Sequence, residues 1–169
     1  MDADLLHLEE ELCSTNAQRR VDAAEQLSLL GHQASPAVIP LLCTLRDSDE
    51  QVREYVTSAL ENLGPPPTNQ LGHLVPMLQD ENLDIGYWAA TLLGRLGRIG
   101  GPAAESLADV LQHSTHTVVR ERSAWALGEI GKEASVALDQ LHRTAQGSEP
   151  RLARLAQEAI EKITGEADE

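Results

Sequence analysis

The strongest constraint on this chain is a short motif, an apolar residue followed by glycine, that recurs at nearly constant intervals. Four copies lie 33, 33 and 34 residues apart, at Leu30-Gly31, Leu63-Gly64, Leu96-Gly97 and Ile130-Gly131. A fifth, degenerate copy reads Ile163-Thr164-Gly165. Repetition at this period indicates an array of similar structural units, each too small to bury its own apolar side alone.

The residues before each glycine predict an α-helix. Apolar or small residues lie 12, 8, 4 and 1 positions before it, and steps of four, four and three residues fall on one side of a helix. The second copy has Val52, Val56, Leu60 and Leu63 in these positions, whereas the first copy begins with Arg19. The glycine itself suits the left-handed residue that commonly ends a helix.

The residues after each glycine predict a second helix. Apolar residues recur 7, 10 and 14 positions after it, as in Leu71, Leu74 and Leu78. The chain is therefore predicted to be all-α, an α-solenoid of five helix pairs with ten antiparallel helices in a single domain. The expected repeats are residues 2–31, 32–64, 65–97, 98–131 and 132–165, with an acidic tail at 166–169.

A family resemblance rests on what surrounds these positions. Valine-arginine near the start of the second helix and Leu-x-x-Ile-Gly at its end resemble the HEAT-repeat family, in particular the short HEAT-like repeats of phycobilisome lyase subunits. The family's arginine corresponds to Arg20, Arg53 and Arg120, and its aspartate between paired helices to Asp47 and Asp80. The third repeat departs from this pattern because Gly86 replaces the arginine. The resemblance implies stacked helix pairs whose second helices line a concave surface, but it implies no particular function.

Composition excludes several classes of function. The formal net charge is −14, with 27 acidic and 13 basic residues, which disfavours binding to nucleic acids, including the DNA-repair role of some HEAT-like proteins, and to anionic membranes. The two cysteines, Cys13 and Cys43, are too few for a disulfide framework. No apolar run approaches the ~20 residues of a membrane span, and the acidic N-terminus does not resemble a signal peptide. We therefore expect a cytoplasmic protein, with a monomer favoured.

Residues that could support catalysis are scarce. His113 and His116 have a spacing that could hold zinc on one helix face, but they lie in or beside a turn, and we interpret them as exposed turn residues. The His-Glu dipeptides of HEAT-like deoxyhypusine hydroxylases, nucleophile elbows and phosphate-binding loops are absent. The sequence therefore predicts no enzyme, no cofactor and no metal.

The aromatic residues indicate where a partner could bind. All four lie on second helices, and at about 100° per residue Tyr87 and Trp125 point about 150–170° from the buried side, with Tyr55 and Trp88 on its flank. Two arginines share that surface, and Gly86 is interpreted as leaving space over Tyr87 and Trp88. The predicted contact residues are Tyr55, Tyr87, Trp88, Arg95, Arg122 and Trp125. The alternative, that these aromatics pack between repeats, stays open.

These observations predict a non-catalytic scaffold that binds another protein or peptide on the concave surface of repeats 2 to 4. Two alternatives remain at this point. One is a subunit of a phycobilin-lyase-type enzyme or another maturation factor that presents a protein substrate. The other is a purely structural array without a dedicated site.

Overall fold

The computed structural model describes residues 3–165, and every regular element in that range is helical. The α-helices are α1 (Ala3–Leu12), α2 (Ala17–Leu30), α3 (Val38–Thr44), α4 (Glu50–Asn62), α5 (Leu71–Met77), α6 (Leu83–Arg95), α7 (Ala104–His113), α8 (Thr117–Ile130), α9 (Leu138–Ala145) and α10 (Pro150–Thr164). Odd-numbered elements are the predicted first helices, and even-numbered elements are the second helices. The predicted all-α solenoid class is confirmed.

Short 3-10 helices lie between consecutive helix pairs. They span Gly31–Ala37, Thr68–Gln70, Gly97–Ala103 and Gly131–Ala137. Prolines lie inside two of the longer ones, Pro36 and Pro102. Proline lacks a backbone donor and fixes φ, and both properties suit short 3-10 segments better than a long α-helix.

The chain divides into two compact units at Pro67–Thr68, close to the predicted boundary between the second and third repeats. The first unit contains α1 to α4, and the second contains α5 to α10. The single-domain assignment remains a prediction, and the predicted tail at 166–169 lies outside the described residues.

The two apolar templates form the cores of both units. In the second helices of pairs two to five, every residue of the predicted stripe is buried, from Val52 in α4 to Ile163 in α10. The first copy departs as its sequence does, with Arg19 exposed and Leu30 partly exposed. The first helices follow their template less strictly, because Leu71 and Leu138 are only half-buried. The steps of four and three residues therefore identified the buried sides correctly.

Both ends of the second helices are set by local chemistry. The side chains of Asn16, Asp49 and Asn82 accept hydrogen bonds of 2.9 Å from the backbone N–H two residues later, and they cap α2, α4 and α6. At the other end, Gly31 and Gly131 have φ of 54° and 72° with ψ of −128° and −140°, a region open essentially to glycine alone.

Candidate functional site

Five of the six predicted contact residues lie together in the second unit and form what we call the aromatic–arginine cluster. It consists of Tyr87, Trp88 and Arg95 on α6 and Arg122 and Trp125 on α8.

The cluster exists because α6 and α8 approach each other closely at a glycine. A Cβ atom added to Gly94 would lie 2.7 Å from Cζ3 of Trp125 and 2.9 Å from Cα of Ala126. Real side-chain atoms do not tolerate such distances, so only glycine at position 94 lets the two helices meet here. The Trp125 ring therefore lies directly against the α6 backbone.

Arg122 lies between two aromatic rings. Its guanidinium carbon is 4.4 Å from the ring centroid of Tyr87 and 5.0 Å from that of Trp125, both within the range of cation–π attraction. Its Nη2 also donates a hydrogen bond to the hydroxyl of Tyr87. These contacts hold all three side chains in one arrangement before any partner binds.

A second cation–aromatic pair supports the first from within α6. The rings of Tyr87 and Trp88 meet edge to face, with centroids 5.5 Å apart and planes at 89°. The guanidinium carbon of Arg95 lies 5.6 Å from the centroid of Trp88. Trp88 is only 7% exposed, so it packs against Tyr87 but offers little surface to a partner.

Tyr87 and Trp125 are each half-buried. Trp125 packs against Gly94 of the neighbouring second helix, as expected if the aromatics pack between repeats. The residue is nevertheless partly accessible, as expected if it contacts a partner. The geometry therefore combines features of both alternatives in one residue.

Acidic residues beside the cluster are already paired with cations of α10. Glu121 lies 3.2 Å from Arg151, and Glu129 lies 2.7 Å from Lys162. Arg122 forms no ion pair with a carboxylate in residues 3–165; its contacts are the two rings and the Tyr87 hydroxyl. The surface around the cluster is thus locally less acidic than the net charge of the chain suggests.

Tyr55, the sixth predicted residue, lies on α4 in the first unit. It is half-buried, and its hydroxyl donates a hydrogen bond of 3.3 Å to Oε1 of Glu25. The sequence grouped it with the others because it occupies a comparable repeat position, and its observed contact is with α2 of its own unit.

The interpretation of Gly86 was wrong. A Cβ atom at Gly86 would lie 3.3 Å from the carbonyl oxygen of Leu78 and 3.5 Å from Cγ1 of Val119. Gly86 is buried at the contact of α6 with the end of the first helix of its own pair and with α8. It therefore does not open space over Tyr87 and Trp88.

Both histidines are exposed and lie beside the turn between α7 and α8, as predicted. His113 is the last residue of α7, and its Nδ1 lies 2.9 Å from Oδ1 of Asp109. His116 directly precedes α8. Among residues 3–165, no group of three or more His, Cys, Asp or Glu side chains is arranged to hold a metal ion. No helix in the described range is long and apolar enough to span a bilayer.

Comparison with solved structures finds repeat proteins of low sequence identity. A designed armadillo repeat protein solved in complex with the peptide (KR)4 superposes with a TM-score of 0.64 at 19% identity, covering 95% of this chain and 82% of its own. An engineered protein gives a TM-score of 0.63 at 21% identity over 96% of this chain; the match spans only 48% of that protein's length. These similarities concern the fold alone.

A comparison with curated proteins found none that matches this chain. The family model described as HEAT repeats matches residues 39–128 and, in an overlapping second match, residues 73–161. Together the matches cover most of the chain, including all the helices that carry the aromatic–arginine cluster. This chain therefore belongs to the HEAT-repeat family.

Proposed function

We propose that this chain is a non-catalytic scaffold that binds a partner protein or peptide through the aromatic–arginine cluster. The observation that carries the proposal is the position of Arg122 between the rings of the half-buried residues Tyr87 and Trp125. Tryptophan, tyrosine and arginine are the residue types most enriched at the energetic centres of protein interfaces.

The arrangement is suited to binding because its side chains are already ordered. Immobilising a flexible side chain on binding costs about 0.5–1.5 kcal/mol. Arg122 is held by Tyr87 and Trp125, so much of that cost has been met within the fold. A partner would place an apolar side chain against the accessible edges of the two rings. It would also supply a hydrogen-bond acceptor to guanidinium N–H groups that Tyr87 does not use.

Two further observations support the protein-binding class. Repeat solenoids of this fold include the designed armadillo protein that binds a peptide of alternating lysine and arginine. The net charge of −14 favours approach of a partner with net positive charge. Beside the cluster, Glu121 and Glu129 are already paired with Arg151 and Lys162, so an apolar group of the partner would not meet unpaired carboxylates there. Tyr55 is retained as a separate proposed contact on the first unit, to be tested with its own variant.

The test is a quantitative pull-down from the source cell with matched variants. Trp125→Ala and Arg122→Gln should weaken capture of one and the same partner by about 30-fold, which corresponds to about 2 kcal/mol. Arg154→Gln is the control, because Arg154 is exposed and pairs with Glu158 within α10. Equal capture by all three variants would contradict the proposal. Copurification of a coloured tetrapyrrole would instead favour the lyase-type subunit.

A further inference from the structure

Three arginines at the same repeat position donate guanidinium hydrogen bonds to a backbone carbonyl of their own helix pair, and two of them also bind an acid of the following pair. Arg20 donates from Nε and Nη2 to the carboxylate of Asp47 at 2.6 and 2.9 Å, and from Nη1 to the carbonyl of Ser14 at 3.0 Å. Ser14 lies in the turn between α1 and α2, the helix that carries Arg20. Asp47 lies in the turn between α3 and α4, in the following pair. The guanidinium group therefore joins two consecutive turns.

Arg120 repeats this arrangement, and Arg53 repeats only its contact with a backbone carbonyl of its own pair. Arg53 donates from Nη1 to the carbonyl of Asp47 at 2.6 Å. Arg120 donates from Nε to the carbonyl of Leu111 at 2.9 Å and from Nη1 to Oε2 of Glu149 in the following turn at 2.6 Å. In all three cases a backbone carbonyl earlier in the same pair, six residues before Arg20 and Arg53 and nine before Arg120, accepts a hydrogen bond from the guanidinium.

The third repeat has Gly86 in this position. A cleft lies beside it, and its lining includes Leu78 and Val119, the two residues closest to where a Cβ atom of residue 86 would be. The residues around this Gly86 cleft come from the ends of α5 and α7, the turns that follow them and the start of α8; they include Leu78, Glu81, Asp109, Val110, His113 and Val119. The corresponding cleft one pair later is lined by Leu111, Glu149, Leu152 and Arg120 itself. In this second cleft the chain supplies an arginine at the repeat position of Gly86, whereas the lining residues of the Gly86 cleft include no arginine.

The Gly86 cleft keeps the groups that a guanidinium needs. The carbonyl oxygen of Leu78, one repeat before that of Leu111, faces the position of the missing Cβ at 3.3 Å. Leu78, Val110 and Val119 provide apolar walls for an aliphatic stem. The following turn carries Ser114 where the second and third pairs carry Asp47 and Asp80. Negative charge therefore comes from Glu81, which is exposed, and from Asp109, whose side chain is 50% exposed and already contacts Gln79 and His113 at 2.9 Å.

We propose that the Gly86 cleft binds the guanidinium group of an arginine side chain supplied by a partner protein. The planar guanidinium has five donors that match the carbonyl and carboxylate acceptors, whereas the compact ammonium of lysine has only three. The three-carbon stem of arginine matches the apolar walls. This site uses residues outside the aromatic–arginine cluster and does not depend on the function proposed for that cluster.

The experiment is a titration with N-acetyl-arginine amide followed by amide chemical shifts in ¹H–¹⁵N spectra. Saturable shifts are expected at residues 78–81 and 113–116, with a Kd on the order of 10 mM, as a few hydrogen bonds from one side chain allow. Gly86→Arg, which supplies the arginine from within the chain, should reduce this affinity by about tenfold or more. Gly86→Ala is the matched control and should retain binding, because it adds only a methyl group.

Two further measurements keep the test decisive if Gly86→Arg fails to fold. The double variant Glu81→Gln/Asp109→Asn should weaken binding of N-acetyl-arginine amide by about threefold or more, since it removes both rim charges. N-acetyl-norleucine amide, which has a similar stem without the cation, should give no saturable shifts. The proposal is overturned if the arginine probe causes no saturable shifts, if the norleucine probe causes the same ones, or if neither substitution changes them.

Discussion

The contact of α6 with α8 and the contact of α8 with α10 use the same backbone device and present different chemistry. Each relies on a glycine three residues before the glycine that follows the helix, Gly94 in α6 and Gly128 in α8. The missing Cβ of Gly94 would lie 2.9 Å from Cα of Ala126, and that of Gly128 would lie 3.1 Å from Cα of Ala159. A close approach of neighbouring second helices at a glycine is therefore shared by these two contacts.

The side chains around the two contacts are unalike. Across α6 and α8 lie two tryptophans, a tyrosine and two arginines in mutual contact. Across α8 and α10 lie the ion pairs of Glu121 with Arg151 and of Glu129 with Lys162. Exposed ion pairs contribute about 0–1 kcal/mol, whereas aromatic and arginine side chains provide most of the energy at interfaces. The difference shows that the repeat fixes the backbone and leaves the outer positions free to specialise.

The largest effect should come from filling the contact beneath the cluster. Gly94→Ala places a methyl group against both Trp125 and the α8 backbone, and such overpacking should lower the free energy of unfolding by about 2–3 kcal/mol, despite alanine's helix preference. Gly128→Ala meets its neighbours at 3.1 Å and above and should cost less. Urea unfolding of both variants checks the comparison, and equal losses would show that the two contacts are equally tight.

Removing Trp125 should destabilise the fold only moderately. The ring is half-buried, so Trp125→Ala should lower the free energy of unfolding by about 1–2 kcal/mol, less than the 3–5 kcal/mol for a fully buried aromatic. Combined with Gly94→Ala, it should recover part of that variant's loss, because one of the two close contacts disappears. A double-mutant cycle by urea unfolding measures this coupling, and strictly additive losses would argue against direct packing of Trp125 on residue 94.

The ion pair between Arg20 and Asp47 should matter more than the exposed pairs of α8 and α10. The hydrogen bond from Arg20 is the main reason why the pKa of Asp47 lies below its usual range. The stabilisation is therefore complete above the ordinary aspartate pKa of about 4 and is lost as the pH falls through the lower folded-state value. Asp47→Asn should cost about 1–2 kcal/mol at pH 7, with the difference from wild type shrinking in acid. Unfolding measured from pH 7 to pH 3 tests this, and a pH-independent difference would contradict it.

The smallest effect is expected on the α8–α10 side of the comparison. Glu129→Gln breaks the pair with Lys162, whose two side chains are 36% and 47% exposed, and should change the free energy of unfolding by about 0.5 kcal/mol or less. Thermal unfolding at low and high salt gives the measurement. A loss as large as that of Asp47→Asn would show that exposure does not separate the two kinds of pair.

Sequence periodicity predicted the buried sides, because they follow from the angle between successive helix residues. Tyr87 and Trp125, which it placed away from the buried side, are half-buried, and Trp125 packs against α6. Periodicity could not place Trp88, whose predicted flank position becomes buried only through the neighbouring elements. The role of Gly94 was also missed, although glycine recurs at the same repeat position in Gly128. Within one helix a glycine appears only as a weak helix former, and its value lies in contact with the next helix.

The central claim, that the aromatic–arginine cluster rather than the neighbouring ion-paired surface binds the partner, is tested most directly by calorimetric titration. The partner recovered by the immobilised protein would be titrated into folded Arg122→Gln and Glu129→Gln proteins, which differ in only one side chain from wild type. The account predicts affinity about 30-fold weaker for Arg122→Gln and within about twofold of wild type for Glu129→Gln. An unchanged affinity for Arg122→Gln, or a loss confined to Glu129→Gln, would contradict it.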